Sequence, residues 1–273
     1  LVDGLRAGRW PLVSDGQAGR VSGMDIGISG WIVAALCVLI TGISKAGLGG
    51  ALGGLAVPVM SIWLAPRDAV AVVLPILIAT DLVGIRAWKG KADWADLKLL
   101  LPGAVIGIAA GSLAFGLMSD ALVKATVGLI AVAFAADRVF RAKIKKPAGA
   151  GGVAGWFGTL CGAVSGFTST LAHAGGPPVM IYLLKRQLPR ETFVATSVYF
   201  FTVINLAKLP FYLGLGVFHR ETLLMSAALI PLVPLGVWAG LRVLAWIPER
   251  IFFAVATLAL GLSGAKLLWD GLF

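Results

Sequence analysis

Two short stretches hold the side chains best placed for chemistry. In "SKAGLGGALGG", Ser44 to Gly54, Lys45 stands among glycines; in "HAGGPP", His173 to Pro178, an imidazole adjoins two glycines and two prolines. A cation inside an apolar run is costly and is a functional candidate by default. Histidine could bond an anion, shuttle a proton or bond a carbonyl. Proline suits the first turn of a helix, where its missing N–H would be unpaired anyway. Glycine lets a second backbone or a ligand approach closely. Together they read as a helix stop followed at once by a helix start. A helix start offers free N–H groups and a positive dipole end, which is anion-binding chemistry. The competing structural explanations are close helix packing for the glycines and snorkelling to the interface for Lys45.

Other polar residues fall inside apolar stretches. Asp81 lies deep in the stretch 67–87 and needs a partner, Lys45 or Arg86. Asn205 and Lys208 lie one turn apart on one helix face. Asp81 and His173 are the candidates for proton coupling. Asp137 and Lys266 sit near span ends and are expected at the interface. Thr168, Ser169 and Thr170 precede the second break and are expected to bond their own helix. Cys37 and Cys161 read as small buried hydrophobes. No nucleophile–base–acid set, phosphate-binding loop or His/Cys cluster is present, so no catalytic residue, metal or cofactor is expected. ATP-driven transport by this chain alone is not expected on the same ground.

These residues need a membrane scaffold. Of 273 residues 59% are hydrophobic and only 13% charged, about half the charged share of a soluble domain. Mean hydropathy is +0.93. Apolar runs near the ~20 residues of a spanning helix recur along the chain, which indicates an all-α polytopic membrane protein. The net charge of +10 reads as loop charges that set orientation, not as a nucleic-acid surface. The lipid bilayer is thus the expected partner, and a homodimer is left open.

The runs are at about 27–43 leading to 64, 67–87, 97–117 and 119–138, then 152–171, 173–184, 190–210, 221–244 and 249–269. Each half holds a broken pair followed by three spans, eight to ten membrane segments in all. Residues 1–26 form a tail, 27–141 a first repeat, 142–151 a basic linker and 152–273 a second repeat. A shift of 120 places Gly42 on Gly162, Pro58 on Pro178 and Met60 on Met180; a shift of 129 places Pro102 on Pro231, Gly107 on Gly236 and Asp120 on Glu249. Duplicated halves with matched breaks point to a transporter site between them. Basic residues mark opposite loops in the two halves: Arg86, Lys89 and Lys91 in the first, Lys185, Arg186 and Arg190 in the second. This predicts inverted repeats. Arg6, Arg9 and Arg20 argue the other way, toward a parallel arrangement.

The segments 41–94 and 172–218, with "HAGGPP" followed by "YLL" and an Asn–x–x–Lys element, resemble the TauE/SafE family of sulfite exporters. The resemblance covers about residues 28–270. It implies a multi-pass permease of the bacterial inner membrane for sulfite, organosulfonates or related sulfur oxyanions. It also implies an anion site at Lys45, Gly47, Gly49, Gly50, His173, Gly175, Gly176, Pro177 and Pro178, with Asn205 and Lys208 as lining residues. The expected function is secondary transport, in the direction of export, by alternating access to a midplane site. The alternatives are a permease for another small anion such as a carboxylate, an intramembrane enzyme, or a structural or sensory subunit.

Overall fold

The computed structural model describes residues 27–48, 53–141, 154–243 and 249–273. The expected tail and linker lie outside them, as do Gly49 and Gly50. The described residues form eleven helices and no strand. In the first half these are α1 (Gly27–Leu48), α2 (Ala56–Met60), α3 (Pro66–Ala87), α4 (Trp94–Leu117) and α5 (Asp120–Arg141). In the second they are α6 (Gly155–Ala172), α7 (Gly176–Lys185), α8 (Arg190–Gly214), α9 (Arg220–Leu229), α10 (Leu232–Val243) and α11 (Glu249–Leu272).

Local chemistry sets the boundaries. Pro66 opens α3. Asp93 caps α4, its carboxylate accepting from the N–H groups of Ala95 at 2.8 Å and Asp96 at 3.1 Å. Thr222 and His219 form a reciprocal cap at the start of α9.

Four helices, α1, α3, α4 and α8, are long and apolar enough to cross a membrane. The pair α9–α10 passes the same test jointly but is bent by 44°, which makes it either a broken fifth span or a re-entrant loop. The sequence suggested one straight span over 221–244; the chain instead breaks at Ile230–Pro231. Proline cannot supply the helical N–H and its ring crowds the preceding turn. Pro102, which the sequence shift of 129 places on Pro231, sits inside an unbroken α4. The remaining helices are short (α2, α7) or carry more polar residues, such as Asp120, Lys124 and Asp137 on α5. Large apolar side chains at Ile32, Leu36, Ile106, Leu113, Leu129, Leu213 and Leu258 point outward, as a lipid-facing surface requires.

The most extensive packing crosses between the halves. It joins α4 to α6, α5 to α11, α1 to α10 and α3 to α8. Glycines allow these helices to touch backbone to backbone. A Cβ on Gly107 of α4 would lie 2.0 Å from the Ala163 carbonyl of α6, and one on Gly42 of α1 would lie 2.9 Å from the backbone of Gly236 in α10. Under the sequence shifts of 129 and 120 Gly107 falls on Gly236 and Gly42 on Gly162, so the α4–α6 contact has its counterpart in α1–α10. Two apolar cores result. One surrounds the fully buried run Ala69–Leu74 of α3; the other joins Leu100, Ala104 and Ile108 of α4 to Val179 and Tyr182 of α7 and to Phe200 and Ile204 of α8.

Candidate functional site

The second break is a left-handed turn. α6 ends at His173, whose φ is +51°, a conformation that non-glycine residues adopt at a cost. The N–H of His173 donates to the Ser169 carbonyl at 3.0 Å and that of Ala174 to the Thr168 carbonyl at 3.3 Å, closing the helix end. Ser165 Oγ donates to the Gly175 carbonyl at 2.7 Å. Gly175 packs so tightly on α6 that a Cβ there would lie 2.6 Å from Ser165 Oγ. α7 then starts at Gly176, with Pro177 and Pro178 in its first turn. Neither proline has an N–H to offer an anion, so their part here is to start the helix.

The first break is shaped differently. A 3₁₀ turn, Gly53–Leu55, precedes the five-residue α2. The two breaks meet where Gly54 faces Ala174: a Cβ on Gly54 would be 2.9 Å from that of Ala174. These two residues are mates under the shift of 120.

Around this junction the structure gathers a buried polar network from four helices. Lys45 near the end of α1 forms an ion pair with Asp81 Oδ1 of α3. Of the two partners the sequence allowed, Asp81 therefore takes Lys45 and not Arg86. Asn205 Nδ2 of α8 donates to Asp81 Oδ2 at 2.7 Å. One turn on, Lys208 Nζ lies 2.8 Å from His173 Nδ1, 3.0 Å from Ser169 Oγ and 3.3 Å from the Ser169 carbonyl. His173 Nε2 lies 2.9 Å from the Val70 carbonyl of α3. A carbonyl can only accept, so Nε2 carries the hydrogen and Nδ1 accepts from Lys208. Both ring nitrogens are thus engaged by the protein. Lys45, Asp81, His173, Asn205 and Lys208 are all buried, Lys208 completely.

A narrow cleft with about 10 Å³ of free space, room for about one water, lies against this network, lined by Lys45, Leu77, Ser169, His173, Gly176, Phe201 and Asn205. Lys45 Nζ stands 5.8 Å from the centre of the Phe201 ring. Of the residues marked in sequence, Lys45, His173, Gly176 and Asn205 line the cavity, with Asp81 and Lys208 directly behind. Gly175 and Pro178 are buried at the α6–α7 joint and not on the lining. Gly47 lies in the last turn of α1. Leu77, Ser169 and Phe201 were not marked as lining residues. Helical spacing could have found two of them: Leu77 precedes Asp81, and Phe201 precedes Asn205, by four residues on the same face. Thr168 and Thr170 do bond carbonyls of their own helix, at 2.8 and 2.9 Å.

A profile of the sulfite exporter TauE/SafE family matches residues 34–267 of the 273. The chain belongs to the TauE/SafE family. Comparisons with curated proteins and with solved structures each returned no match. As a TauE/SafE member it is a multi-pass membrane transporter of the sulfite-exporter type. Within this TauE/SafE chain the matched region holds both breaks, the whole buried network and the cavity. No group of His, Cys, Asp or Glu among the described residues has metal-holding geometry.

Proposed function

We propose that the chain is a secondary transporter that exports a sulfur oxyanion across the bacterial inner membrane, binding it at the cleft beside the α6–α7 break, which widens to admit it. The observation that carries this reading is the lining itself. Lys45 brings a positive charge, Asn205 and Ser169 bring neutral polar groups, and Gly176 brings the start of a helix. An oxyanion needs such donors when it leaves water. Lys45, with Lys208 behind it against the single carboxylate of Asp81, supplies the attraction, while His173 spends its nitrogens on Val70 and Lys208 and so holds the break in shape. The cavity lies where the two halves meet, the place at which alternating exposure to the two sides of the membrane would act. The exchanged pairing of α1 with α10 and α4 with α6 supports reading the halves as repeats related by a two-fold, and the loop charges support their inversion.

The test is binding by purified protein across sulfite, sulfoacetate, thiosulfate, acetate and sulfate. Sulfite or a sulfur-containing anion should bind most tightly, and Lys45→Ala and His173→Ala should weaken that binding. A preference for acetate would move the substrate to the carboxylates. Unchanged affinity in both variants would overturn the site.

A further inference from the structure

The charges around the cavity do not balance. Asp81 is the carboxylate of this network, and both its oxygens are taken, Oδ1 by Lys45 and Oδ2 by Asn205. The other fully buried acid among the described residues, Asp96, is engaged elsewhere, accepting from Tyr182 Oη and Arg186 Nε at 2.7 Å each near the far end of α7. Lys208 therefore has no acid partner. Its three acceptors, His173 Nδ1, Ser169 Oγ and the Ser169 carbonyl, match the three N–H bonds of an ammonium and are all neutral. His173, donating from Nε2 and accepting at Nδ1, is neutral as well. Burial among neutral acceptors disfavours the charged form of Lys208, so the network carries its one surplus positive charge, two ammonium groups against one carboxylate, when an anion enters and Lys208 is protonated.

We propose that this surplus selects the charge of the substrate. The site takes a singly charged oxyanion, hydrogen sulfite or a sulfonate, over a doubly charged one, and Asp81 is the residue that sets the limit. The proposal rests on the cavity being the substrate site. An enclosed charge without a counter-ion is costly. A monoanion in the cavity brings the group to neutrality. A dianion overshoots by one negative charge and gives up a larger hydration energy. Asp81 does this without touching the substrate, by cancelling Lys45 before the anion arrives. In its absence the network would hold two positive charges and suit a dianion.

Methanesulfonate and sulfate have a similar tetrahedral shape and differ by one charge, so they separate charge from fit. Both are titrated against bound sulfite on the purified transporter. Wild type should release sulfite at methanesulfonate concentrations at least about tenfold below those of sulfate, as one unit charge at close range in a protein interior implies. In Asp81→Asn, sulfate should gain on methanesulfonate by about tenfold or more. In Lys208→Met, which removes the surplus, methanesulfonate should weaken by about tenfold. Equal or better displacement by sulfate in wild type, displacement by neither anion, or an unchanged ratio in Asp81→Asn overturns the proposal. Where Asp81→Asn does not fold, the wild-type ratio and Lys208→Met decide. Failure of wild type to bind sulfite at all strikes the substrate site itself, and this proposal with it.

Discussion

Asn205 Nδ2 reaches Asp81 Oδ2 at 2.7 Å across 124 positions of sequence, fastening α8 of the second half to α3 of the first. Among the described residues the amide is the donor to that oxygen, and both residues are buried. Asn205→Ala should therefore leave a buried carboxylate oxygen without a partner and cost about 1–3 kcal/mol. Asn205→Asp should cost more, because a second carboxylate would face the first. Thermal unfolding in detergent checks both, and an Asn205→Asp protein as stable as wild type would contradict the geometry.

Lys45 and Asp81 should show strong coupling. Removing either partner alone leaves an isolated buried charge and should cost about 3–5 kcal/mol. The double variant Lys45→Ala/Asp81→Ala should cost clearly less than the two single costs added together. Additive losses in a double-mutant cycle would mean that the pair does not act as a unit.

His173 holds a left-handed backbone turn as well as the side-chain network. Both His173→Gly and His173→Ala lose the bonds to Val70 and Lys208. Glycine adopts the observed φ of +51° freely, whereas alanine pays about 1–2 kcal/mol there. His173→Gly should accordingly melt at the higher temperature of the two. The reverse order would show that the turn is not retained in the variants.

Glycines at the helix crossings should differ sharply in tolerance. A methyl group on Gly107 would sit 2.0 Å from the Ala163 carbonyl, while one on Gly155 would meet only the end of the Leu99 side chain at 3.4 Å. Gly107→Ala should fail to give folded protein by size-exclusion chromatography. Gly155→Ala should stay within about 0.5 kcal/mol of wild type.

Inverted halves place the loop after α3 and the loop before α9 on opposite faces of the membrane. With Cys37 and Cys161 replaced, single cysteines at Lys89 and Arg220, both exposed, should react with an impermeant thiol reagent from opposite sides. Labelling from the same side would establish parallel repeats.

Much of this was legible in the residues. Apolar runs and their punctuation placed α3, α4, α6 and α7 within a few residues, because proline and glycine act on the backbone locally. Lys45, Asp81, His173, Asn205 and Lys208 stood out because polar groups in lipid need partners. Which partners they take was not legible. Asp81 had Lys45 and Arg86 within reach of any sequence argument, and only the packing of α1 on α3 chooses between them. The left-handed turn at His173 was equally hidden, since glycine is the usual occupant of such a position. The break at Pro231 escaped because its mate, Pro102, is accommodated without one. What a proline does inside a helix depends on whether neighbours satisfy the freed carbonyl.

The helices of one half grip those of the other more than they grip their own: α4 lies on α6, α10 on α1, α11 on α5 and α8 on α3. Neither half owns a finished interior. A polypeptide released after α5 would show lipid a glycine-lined groove shaped for α6, and the partner piece would leave α10 without α1. Co-expressed fragments cut between α5 and α6 should therefore assemble only with each other, and α5 cannot meet α11 until synthesis has run nearly to its end.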